Sequence, residues 1–205
     1  MRKFLIIFVF LLAAFTIYWF FLRTRHTSGN GPKPVPITLK KHSTEFNNSV
    51  DNMMTSYLEI KNAFVDGDTS RVKQSTASFI SFLDKIPLEE LKKDTAGIYE
   101  TAQANINDIR SNAESLQKQA EITEMRKDFS MVTEMMYPSF FKTINYEGPD
   151  LYLLHCPMAF EENGANWISN SVEIINPYLG KNHAKYKGTM LHCGEVKDSI
   201  KANKL

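Results

Sequence analysis

Between Phe46 and Phe140 the apolar side chains recur at gaps of three and four, and that rhythm commits the middle of the chain to amphipathic helices. The first run uses Phe46, Val50, Met53, Tyr57, Ile60 and Phe64. Asp66-Gly67-Asp68 should end it, with glycine taking the left-handed terminus and Asp68 capping the next helix. The second run uses Val72, Thr76, Phe79, Ile80, Leu83 and Ile86, and Pro87 suits the first turn of a short helix through Leu91. The third is the most regular: Ile98, Ala102, Ile106, Ile109, Ala113, Leu116 and Ala120 form an a/d-like seam. The fourth uses Met125, Phe129, Val132, Met136 and Phe140, and Pro138 predicts a kink near Tyr137. Met53, Met54, Met125, Met131 and Met136 lie in or beside these stripes, where thioethers fill irregular gaps in a core. Four such segments with short joins predict an all-α, up-and-down bundle of about four helices.

Ahead of the bundle, Phe4 to Leu22 is apolar apart from Thr16 and Tyr18. As a helix it would be about 28 Å long, close to the hydrocarbon thickness of a bilayer. It is long for a signal-peptide core, and no small-x-small cleavage site follows it. The expectation is an N-terminal transmembrane anchor over residues 1–26, single-pass in the inner membrane, with the domain on the periplasmic side; a cleaved signal peptide is the alternative. Residues 27–42, which include Thr-Ser-Gly-Asn-Gly-Pro-Lys-Pro-Val-Pro, read as a Pro/Gly spacer. Residues 43–205 form the domain, long enough to close one hydrophobic core. The formal net charge of +1 offers no basic field for phosphates, which argues against a nucleic-acid partner.

Beyond Gly148-Pro149 the helical rhythm stops, and residues 148–197 read as a loop-rich segment with two short candidate strands, Leu151–Leu154 and Gly188–Val196. Both cysteines of the chain lie here, in His155-Cys156 and His192-Cys193, with Met158 two residues after the first and Met190 three before the second. Thiolate, thioether and imidazole donors suit Cu(I) and other soft ions. In an extended chain Cys156 and Met158 point the same way and His155 the other. Met190 and Cys193 need a turn to reach one ion. The economical site is thus Cys156, Cys193 and one or both methionines, with His155 and His192 auxiliary. Zinc would prefer four ligands, such as the two cysteines with His155 and His192. A third reading needs no metal: a Cys156–Cys193 disulfide, which could stabilise the fold by about 4 kcal/mol in the chain-entropy model. Trp167 reads as packing the loop onto the bundle rather than covering a cation. Phosphate-loop, His-Glu-x-x-His, Cys-x-x-Cys and Gly-x-Ser-x-Gly patterns do not occur, so no enzyme is expected.

The pattern His155-Cys156-Pro157-Met158-Ala159, Gly164-Ala165-x-Trp167-x-Ser169, Ile174-x-Asn176-Pro177-Tyr178-x-Gly180, Met190-x-x-Cys193-Gly194-x-Val196 resembles a bacterial domain family of unknown function. Members occur alone behind an anchor or signal, or fused to adaptor (membrane-fusion) subunits of copper/silver-type heavy-metal efflux pumps. The likeness spans Val50 to Lys197. It implies heavy-metal handling outside the cytoplasm, Cys156, Met158, Met190 and Cys193 as ligands, and an efflux adaptor as partner. The insertion Lys181–Thr189, with His183, departs from the family pattern. The expected function is binding Cu(I), to buffer it or deliver it to an efflux system; the alternative is a non-catalytic helical interaction module held by a structural disulfide.

Overall fold

The computed structural model describes residues 41–93 and 97–202. The expected anchor, and the spacer up to residue 40, lie outside the described residues. Among those described, no helix is long and apolar enough to cross a membrane.

Four long helices carry the domain: α1 (Thr44–Asp66), α2 (Thr69–Leu83), α3 (Ile98–Lys118) and α4 (Ile122–Met135). Their ends follow from local chemistry. The Ser43 hydroxyl accepts from Phe46 N–H to start α1, and Gly67, at φ +72°, closes it. Asp68 then accepts from Arg71 N–H at the start of α2. α1 packs on α2, α2 on α3 and α3 on α4, the neighbour order of an up-and-down bundle. Every residue of the first and fourth predicted stripes is buried, as is the third seam from Ile98 to Leu116. Ala120 lies past the end of α3 and is exposed, so the seam stops one step early. Of the five bundle methionines, Met53, Met54, Met125 and Met136 are buried, whereas Met131 faces solvent.

The kink falls where proline predicts it. Tyr137 is extended (φ −115°, ψ 128°) within the π-turn Met136–Phe140, and one more helical turn, Phe141–Thr143, follows. His42 is the last residue of the expected spacer. His42 is buried, stacked on Phe46 at 4.2 Å, and its Nδ1 lies 2.6 Å from Glu90, so this residue belongs to the domain.

The domain is not all-α. It is mostly helical, with a three-stranded antiparallel sheet in the order β2-β1-β3, where β1 is Leu151–Cys156, β2 Ala165–Ser169 and β3 Glu195–Ile200. The first predicted strand is present and two residues longer. The second begins at Glu195 rather than Gly188, because Gly188 to His192 is taken up in turns. β2 was hidden in what reads as loop.

The sheet is fixed to the bundle through the outer edge of β2. Ile168 N–H donates to the Tyr57 hydroxyl at 3.0 Å, and that hydroxyl is 2.6 Å from Thr133 Oγ1, which donates to Phe129 O. The Tyr178 hydroxyl donates to the carbonyl of Asn166, two residues before Ile168 on β2. Two buried phenols, one from α1 and one from the loop after β2, thus satisfy the backbone groups an edge strand would leave open.

Candidate functional site

β1 ends at Cys156, fully buried, and the chain then turns at Pro157-Met158. Thirty-seven positions later the chain returns, and Cys193 Sγ lies 3.3 Å from Cys156 Sγ. This is a contact between two free thiols, well beyond the ~2.05 Å of a disulfide. Burial and the neighbouring Cys156 thiol push the Cys193 thiol up to about 11, partly opposed by the backbone N–H of Met158.

Several contacts hold Cys193 in place. Cys193 N–H donates to Met190 O at 3.0 Å, the turn that Met190 needs to approach the cysteine. The buried Asn176 uses its whole side chain: its amide N–H donates to Cys193 O at 2.7 Å, and its oxygen accepts from Tyr178 and Leu179 N–H. Gly194 (φ +149°) passes so close to β1 that an added Cβ would sit 2.8 Å from His155 O and 2.9 Å from the Trp167 ring. Trp167 is itself fully buried, edge-on to Tyr178, as a packing residue.

The sequence-predicted residues therefore divide. Cys156 and Cys193 meet. Met158 and Met190 are half-buried neighbours of Cys193, one through its backbone N–H and the other through the turn. Met158 does not continue an extended strand, so its alignment with Cys156 by alternation does not hold. His155 precedes Cys156 on β1 and turns the other way, its Nδ1 2.8 Å from Asn166 Oδ1. Asn166 in turn donates to Glu134, so its Oδ1 is free to accept from His155 Nδ1. His192 is exposed, with Nδ1 donating to Ile174 O. The fold does not draw the two imidazoles to the thiols to complete a four-ligand zinc set. Among the described residues, no three His, Cys, Asp or Glu side chains converge on a common point. The donor set assembled here is sulfur, which suits a soft, low-coordinate ion.

Sequence reasoning missed Asn176 as the clamp on Cys193, and Glu134 and Asn166 as the orienters of His155. A loop asparagine before proline reads as a turn, and only the fold shows what its amide holds.

Comparison with known proteins adds one finding. No curated protein matches the chain, and no solved structure does. Residues 53–146 match the model of a family described as a protein of unknown function (DUF3347), a stretch running from α1 to the end of the bundle and stopping before Cys156, so the chain's similarity to that domain of unknown function rests on its helices.

Proposed function

We propose that this chain is a membrane-anchored, extracytoplasmic heavy-metal-binding protein that takes Cu(I) on Cys156 and Cys193 and buffers it or delivers it to an efflux system. The observation that carries this reading is the 3.3 Å contact between two free thiols, one at the end of β1 and the other in the loop before β3. Both would bind as thiolates, so uptake releases protons. Met158 and Met190 stand beside Cys193 as thioether donors, and His155 and His192 remain outside the sulfur pair. Cu(I) is cargo here, and an incompletely saturated sulfur pair favours ligand-by-ligand exchange with an adaptor subunit. The test is competition for Cu(I) between a chelator and the anaerobically reduced chain. The double variant Cys156→Ser, Cys193→Ser should lose the metal to the chelator, and equal retention by both proteins would remove the proposal.

A second reading has support from the same contact. The sulfur atoms need to approach by little more than an ångström to form a disulfide, and an oxidising compartment would favour it. The chain would then be a non-catalytic helical interaction module. Mass spectrometry after thiol blocking of freshly isolated protein distinguishes the two, since a fully blocked pair counts against the bridge.

A further inference from the structure

A surface cavity of about 410 Å³ counts Met158 among its lining residues but neither cysteine. Its deepest charged group is Arg126 of α4, 94% buried by its 6% exposure. Arg126 Nε donates to Pro177 O at 2.9 Å and Nη2 to Phe64 O at 3.0 Å. No carboxylate pairs with it among the described residues. A buried guanidinium held by two carbonyls and the face of the Phe64 ring, 5.9 Å away, keeps a charge that no carboxylate among the described residues neutralises. Burial lowers its affinity for the proton, to a value of about 10.

The opposite polarity lines the same cavity. Phe160, Glu161 and Glu162 all have positive φ (52°, 58° and 71°), a left-handed turn that ordinary side chains adopt at a cost of roughly 1–2 kcal/mol per residue. This turn sets two exposed carboxylates on the cavity rim. Lys185 adds an exposed ammonium. His183 is stacked on Tyr186, and its Nδ1 accepts from the N–H groups of Lys185 and Tyr186. Nε2 therefore bears the proton and is a donor. Burial, then Arg126 and Lys185, hold His183 below its ordinary value and neutral. With two cations and two carboxylates the lining has no net charge but a strong separation of charge, from buried guanidinium to exposed carboxylates. Phe160, Tyr178 and Leu179 supply apolar wall between.

We infer that this cavity binds a small zwitterion of amino-acid or short-peptide size, with its carboxylate on Arg126 and its ammonium at Glu161 and Glu162. A polyanion would meet the two rim carboxylates, and a simple cation would meet Arg126. The volume lies in the range of small-molecule sites. The inference does not depend on metal at the thiols, so the Cys156→Ser, Cys193→Ser variant should bind the same ligand as the parent.

The probe is the dipeptide alanyl-leucine, titrated into the reduced, metal-free chain by calorimetry while the His183 ring signals are followed by NMR. Millimolar dipeptide should bind and shift those signals. Its N-acetyl form and its C-terminal amide should each bind about tenfold more weakly or less, because each loses one charge-assisted partner. Arg126→Gln should abolish binding. Because that change also frees two buried carbonyls, the surface variant Glu161→Gln, Glu162→Gln is the safer test, and it should weaken the dipeptide about tenfold while leaving the N-acetyl form unchanged. No binding at millimolar dipeptide, binding that leaves His183 unmoved, blocked forms as tight as the parent, or inorganic phosphate binding more tightly would each overturn the inference.

Discussion

The side-chain amide of Asn176 holds the carbonyl oxygen of Cys193 at 2.7 Å, and this bond fixes where the second thiol sits. Asn176→Ala would strand three backbone groups: Cys193 O and the N–H groups of Tyr178 and Leu179. The expected loss is about 2–4 kcal/mol, for buried groups left without partners. Denaturant unfolding measures it, and Cu(I) affinity should fall with it. Asn176→Asp keeps the acceptor for Tyr178 and Leu179 but sets a buried carboxylate oxygen against Cys193 O, so it should cost at least as much stability and also loosen Cys193.

Gly194→Ala tests the close approach of the returning chain. The added methyl meets His155 O at 2.8 Å and the Trp167 ring at 2.9 Å, at a φ that L residues rarely adopt. A destabilisation of about 1–3 kcal/mol is expected, seen as a lowered unfolding midpoint.

Tyr57→Phe removes the hydroxyl shared by Ile168 N–H and Thr133 Oγ1 but keeps the ring. The expected cost is about 1–3 kcal/mol. Hydrogen exchange at Ile168 should accelerate more than at the bundle amides, because the bond lost is the one closing the edge of β2.

The helices were legible because one face of each is buried against the others, and spacing records that directly. Phe46 through Phe64 and Met125 through Phe140 need no tertiary knowledge. β2 was not legible, because Ala165–Ser169 is stabilised by hydroxyls from Tyr57, 111 positions earlier in the chain, and from Tyr178. β3 was displaced because Glu195–Ile200 is a largely exposed edge strand without apolar alternation. At the candidate site, the pairing of Cys156 with Cys193 followed from their residue types, and the turn at Met190 from its spacing. The splitting off of His155 followed from strand alternation. Arg126 was not found at all: a charged side chain on a helix reads as solvated, and here Phe64 of α1 and the chain at Pro177 cover it.

The Cys193 thiol stands at about 11 against an ordinary 9.0. At pH 8 only about one Cys193 in a thousand would be thiolate, so iodoacetamide should modify the reduced, metal-free protein far more slowly than its urea-unfolded form. The sign for stability follows. A raised native value means the unfolded chain ionises first, so the reduced protein keeps this contribution below pH 9 and loses it as pH rises from 9 through about 11. Unfolding midpoints across that interval measure it, and Cys193→Ser should flatten the slope.

Copper K-edge X-ray absorption on the anaerobically loaded chain addresses the sulfur pair most directly. The account predicts a nearest-neighbour shell of sulfur alone for bound Cu(I), with bound copper lost when Cys156 and Cys193 are both serine. A shell of nitrogen and oxygen, or copper retained with its spectrum unchanged in the double-serine variant, would contradict it.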